Sequence, residues 1–126
     1  MNAPPVNQQA SSPLDAKAKP LTKQSQDFYK QMQGYFTKNN AVDLLCDALG
    51  KLDSVAHRGT LPVEQLRKVF AHFKVTLNDA SMNNLLQPLP VDQLDQSYSY
   101  IVLIELAFGK QKAVDTYNKF RMGSTS

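Results

Sequence analysis

Apolar positions recur at helical spacings along most of the chain. After a polar start, Phe28, Met32, Tyr35 and Phe36 follow one another at intervals of four, three and one. That stripe predicts a helix from about Ser25, with Ser25 as its cap. Asn39-Asn40 should break it and cap the next helix, Ala41 to about Leu52. Val42, Leu45, Leu49 and Leu52 form one face of that second helix, with Leu44 and Ala48 beside them and Asp43 in the first turn, where the dipole favours an anion. Pro62 is suited to opening a third helix, because the first helical N–H has no intrahelical partner. Its stripe is Val63, Leu66, Phe70 and Phe73, with Val69 alongside. Asn78 is the expected cap of a fourth, flanked by Leu77 and Met82 at hydrophobic-staple positions. Met82, Leu85, Leu86 and Leu89 carry its buried side, and Pro88 and Pro90 end it. The run from Tyr100 to Phe108 is apolar all round except at Glu105. Such a helix belongs at the centre of a domain or between a domain and a partner. Gly109 loosens it, and Ala113, Val114, Tyr117 and Phe120 either continue it or form a short terminal helix. Long alternating runs of β-branched residues are missing, so the expected class is all-α.

The pattern divides the chain into three parts. Residues 1–24 hold Pro4, Pro5, Pro13 and Pro20 among Asn, Gln, Ser, Ala and Lys, and read as an extended or disordered tail. Residues 25–122 form one helical domain, and residues 123–126 should fray. The formal net charge of +3 comes from dispersed lysines rather than a block, which argues against nucleic acid as a partner. The single Cys46 sits in an apolar helical pattern and is expected to be a core thiol. With no membrane-length apolar run and no secretory layout at the start, the expected setting is cytoplasmic, with no membrane partner.

The stretch Leu52 to Leu66 joins two apolar helical runs through Gly59, an inward aliphatic, Leu61, and the helix-opening Pro62. An offset of 37 residues superposes Leu49, Leu52, Thr60, Leu61 and Leu66 on Leu86, Leu89, Ser97, Tyr98 and Leu103. A repeated helix–loop–helix unit of this layout resembles an EF-hand pair, in which each hand covers the other's apolar face. A calcium-binding loop requires oxygen ligands at its first, third and fifth positions and a bidentate Glu at the twelfth. With Gly59 as the sixth position, those seats hold Ser54, Ala56, Arg58 and Gln65. In the second copy Gln96 replaces the glycine and Val102 stands at the closing seat, although Asp92 and Asp95 remain. Both loops are one residue longer than the family spacing when the entering helices are aligned. The resemblance therefore implies an EF-hand-like pair with an extra N-terminal helix and no calcium site.

Phosphate loops, paired Cys or His at metal spacing, and nucleophile elbows do not occur. A non-catalytic protein with no cofactor and no bound metal is expected. Ligand-free EF-hand pairs hold one conformation and either sit in a large lattice or clasp a helix, so the resemblance implies protein partners. The expected contact residues are Phe28, Met32 and Phe36 on the extra helix, and Phe70, Phe73, Met82, Leu86, Leu103, Leu106 and Phe108 around the groove. Two readings follow. One is a structural component of a cytoskeletal assembly, such as the microtubules of a ciliary axoneme, with the lysine-bearing tail on acidic tubulin. The other is a light-chain-like subunit gripping an amphipathic helix of a motor or scaffold protein.

Overall fold

The structure is a computed structural model that describes residues 13–54 and 57–123. The first helix, α1 (Lys23–Lys38), is capped by Thr22 rather than Ser25: the Thr22 hydroxyl accepts the Ser25 N–H. Ser25 instead turns inward with Tyr29, Met32 and Phe36, so the buried face is rotated from the aromatic stripe and leaves Tyr35 on the outside. Asn39 ends the helix and Asn40 takes a left-handed φ of 53°. Ala41, not an asparagine, precedes α2 (Val42–Leu52), and it provides no side-chain cap.

The buried face of α2 is Leu45, Cys46, Leu49 and Gly50, while Leu44 and Leu52 are exposed. The shift has a cause at its far side. Thr116 and Phe120 of the last helix approach Gly50 so closely that a methyl group there would collide with the Phe120 ring. Only glycine permits that approach.

The chain then passes through β1 (Thr60–Pro62) into α3 (Val63–His72), and from α4 (Asp79–Leu86) through a hairpin of β2 (Val91–Asp92) and β3 (Ser97–Ser99) into α5 (Tyr100–Phe108). Asn78 caps α4 through its side chain, as its sequence position suggests, and Leu77 and Met82 are both buried beside it. The offset of 37 residues holds for the folded elements: α2 and α4 begin at Val42 and Asp79, β1 and β3 at Thr60 and Ser97, α3 and α5 at Val63 and Tyr100.

The two short strands pair antiparallel with Thr60 opposite Ser99, Leu61 opposite Tyr98 and Pro62 opposite Ser97. Leu61 and Tyr98 are offset equivalents and face each other. The other two pairs exchange under the same offset, so the two units are related by a local two-fold through Leu61 and Tyr98. The fold is therefore mostly helical but not purely so. A small sheet of order β1-β3-β2 takes up the backbone groups of the two turns.

Helix α5 is the centre. Tyr100, Ile101, Val102, Leu103, Ile104 and Ala107 are all buried, and α1, α2, β1 and α6 (Lys110–Gly123) pack around it. Gly109, at φ 106°, makes the break between α5 and α6. The Tyr29 hydroxyl donates to the Leu85 carbonyl at 2.6 Å, fixing α1 to α4. Residues 16–22 run in extended form over this body: the Lys19 N–H donates to the Pro88 carbonyl at 2.8 Å, and the Gln87 side chain bonds both Pro20 and Thr22. The described part of the expected tail is thus held by its own domain. Residues 1–12 and 124–126 and the loop position Ala56 lie outside the described residues. Among the described residues, no helix is long and apolar enough to cross a membrane.

Two measurements check this core. Phe36 is 0% exposed and its ring meets Phe70, Phe73 and Phe108 at 6.0, 5.5 and 6.3 Å. Phe36→Ala should lower the free energy of urea unfolding by about 3–5 kcal/mol. Burial also pushes the Cys46 thiol from 9.0 up to about 11, and raises the hydroxyls of Tyr29 and Tyr100. The folded chain holds these protons more tightly than the unfolded chain. The Cys46 contribution is complete below pH 9.0 and is lost as the pH rises toward about 11, while the tyrosine contributions begin to be lost only above pH 10.0. The urea midpoint should fall across that window, and Cys46→Ala should make the fall shallower.

Candidate interaction surface

The ten residues expected to contact a partner divide into two groups. Met32, Phe36, Phe70, Met82 and Leu103 are buried in the domain's own core. Phe28, Phe73, Leu86, Leu106 and Phe108 are partly buried and pack against it. Helix α1 packs onto the two units with its Phe36 ring among Phe70, Phe73 and Phe108. A partner reaching the five buried residues must first displace α1. The reason was partly visible in the chain, since α1 carries an aromatic stripe that needs a cover and α5 has apolar surface on every side.

The first turn is closed by a residue that the ligand alignment passed over. Asp53 is 3% exposed, and its carboxylate accepts the N–H groups of Arg58 at 2.9 Å and Gly59 at 2.7 Å and the hydroxyl of Tyr100 at 3.0 Å. The last of these links the first turn to the central helix. Burial, then the neighbouring Asp53 carboxylate, keeps the Tyr100 proton in place well above the ordinary phenol range. The clue in the sequence was the extra loop residue: counted from the entering helix, Asp53 precedes the seat assigned to Ser54. Gly59, at φ 79°, takes the sharp bend. Gln96, its offset equivalent, adopts the same left-handed conformation at φ 58° despite its side chain. The two equivalent positions thus share a backbone conformation that suits glycine better than glutamine.

Arg58 extends from the first turn to the second and pairs with Asp92 and with Asp95. The Ser97 hydroxyl and N–H donate to Asp95, and that hydrogen bonding, with the Arg58 guanidinium, holds the Asp95 carboxyl below its ordinary range. The two aspartates of the second loop therefore share one side-chain cation, which leaves the cluster one negative charge. His57 stacks on Tyr117 with ring centroids 4.0 Å apart, and its ring bonds the Tyr117 carbonyl. His72 is exposed, edge-on to Phe73. Cys46 is buried. Among the described residues, no cluster of three or more His, Cys, Asp or Glu is placed to hold a metal ion.

The outer surface offers a groove of about 480 Å³ between α2, α3 and α6, with Leu44, Ala48, Phe73 and Phe120 as apolar walls. A smaller cavity of about 270 Å³ lies between α1 and the turn after α3, beside Phe28, Tyr35 and Val75. Leu94, 94% exposed, stands at the tip of the β2–β3 hairpin. Comparison of the chain with protein-family models, with curated proteins and with solved structures finds no match.

Asp53→Ala removes the acceptor of three donors, two of them backbone. Each buried donor left unsatisfied costs about 1–3 kcal/mol, so a loss of at least about 3 kcal/mol is expected in urea unfolding. Arg58→Gln should instead leave the midpoint nearly unchanged, since its ion pairs are exposed. Its effect should appear as faster amide exchange confined to residues 92–97.

Proposed function

We propose that the chain is a non-catalytic, EF-hand-like pair that has exchanged a calcium switch for a permanently closed form and serves as a structural part of a larger protein assembly. Three observations support the EF-hand-like part of this reading. The units repeat at one offset, their strands pair about Leu61 and Tyr98, and both bends are left-handed at equivalent positions. A calcium-loaded sensor pair opens to expose an apolar groove. Here Asp53 binds backbone and Tyr100, Arg58 occupies the carboxylates of the second loop, and α1 fills the groove. The residues that carry chemistry elsewhere, His57, Cys46 and Asp53 among them, are here engaged in packing and internal hydrogen bonds.

One observation favours the lattice reading over the light-chain reading: the seat that a gripped helix would take is already occupied by α1. The assembly that the family resemblance implies is cytoskeletal, with the microtubules of an axoneme as the specific case and acidic tubulin as the surface for the lysine-bearing tail. An attraction of that kind is screened within about 8–10 Å at physiological ionic strength, so it should be salt-sensitive.

Two experiments test the proposal. Titration calorimetry with calcium near about 1 mM should give no heat beyond dilution, because a site of even the weakest extracellular class would be loaded there. Heat of binding with one-to-one stoichiometry ends the closed, ion-free reading. Co-sedimentation with polymerised tubulin should carry the full chain into the pellet at low salt and release it as salt is raised. Capture instead by an amphipathic heavy-chain peptide, with loss of amide protection in α1, favours the light-chain reading.

A further inference from the structure

Leu94 is an apolar side chain held out in water on a loop with little freedom. The Leu94 N–H donates to the Asp92 carboxylate at 3.0 Å, and the Gln96 N–H to the Asp92 carbonyl at 2.8 Å. The Gln96 side-chain amide donates to the Gln93 carbonyl at 3.2 Å, and Asp95 accepts both donors of Ser97. Arg58 braces the loop from outside by pairing with the aspartates on both sides of Leu94. The backbone that presents Leu94 is already held, so docking has to order little more than the Leu94 side chain itself.

We infer that Leu94 is a docking knob and that its seat is the groove between α2, α3 and α6 of a second copy of this chain. The groove has the matching chemistry. Its walls are Leu44, Ala48, Phe73 and Phe120, and its volume of about 480 Å³ admits a leucine with the flanking loop. The charged residues lining it are Asp47, Lys51 and Lys119, giving a local balance of one positive charge with His72 neutral. The knob carries Asp92 and Asp95 against Arg58 alone, a balance of one negative charge. Knob and groove share no residue, so a single such contact leaves a free knob and a free groove, which either close on each other in a reciprocal dimer or stay open to a further copy. Copies joined in the open way form a ring if the rotation closes and a filament if it does not. The inference uses only the hairpin and the groove, and stands or falls independently of the calcium-hand resemblance.

Analytical ultracentrifugation of the full chain tests it, with Leu94→Asp and Leu44→Asp as variants. Both positions are exposed, at 94% and 59%, so neither change enters the core, and circular dichroism checks the fold. The unaltered chain should gain average mass with concentration up to about 1 mM, in keeping with a small contact. Each variant alone should stay monomeric. Mixed in equal amounts they should form a one-to-one dimer that grows no further, because one supplies the knob and the other the groove. The inference is overturned if the unaltered chain is monomeric throughout, if either variant associates as it does, or if the mixture stays monomeric. It is also overturned if the unaltered chain stays monomeric while Leu94→Asp abolishes pelleting with polymerised tubulin, which assigns the knob to a foreign protein.

Discussion

The structure depends on covering α5 on all sides. A helix that is apolar around its circumference except at Glu105 gains from burial in nearly every direction, and each uncovered apolar face would forfeit roughly 25 cal/mol per Å². Two helix–loop–helix units alone leave faces of such a helix open. Helices α1 and α6 pack onto those faces, and the turn at Pro13–Asp15 lies against α5 and α6. The elements outside the duplicated unit are thus a consequence of the composition of Tyr100–Phe108, not ornaments added to it.

The two turns are likewise held together by groups of the chain itself. Asp53 gathers backbone N–H groups of its own turn and the Tyr100 hydroxyl, while Arg58 pairs with both Asp92 and Asp95 of the second turn. Because Tyr100 begins α5, the Asp53 hydrogen bond ties the first turn directly to the core. Burial, rather than the ion pairs, contributes most of the energy. The Arg58, Lys112 and Lys119 pairs are solvent-exposed, and pairs of that kind are worth little individually.

Closure and adhesion are separate properties. The aromatic residues of the core are used up internally, with Phe36 among Phe70, Phe73 and Phe108. What remains for partners is a small set of outward features: Leu94 on its braced hairpin, the groove beside Leu44, and the polar segment before α1.

The sequence by itself determined the helices, their order, the cap at Asn78 and the duplication, because apolar spacing and turn residues are local signals. It also marked Leu61 and Tyr98 as equivalent positions of the two turns, which the strand pairing then set opposite each other. Tertiary packing decided the rest. It rotated the buried faces of α1 and α2, since which side of a helix is covered depends on what arrives there, as Phe120 does at Gly50. It drew Asp53 inward to groups five, six and 47 residues away in the chain, and joined Arg58 to Asp92 34 residues on. No local pattern encodes contacts of that range. It also put α1 in the groove, where the stripe of one helix and the bare face of another meet only after the chain has folded.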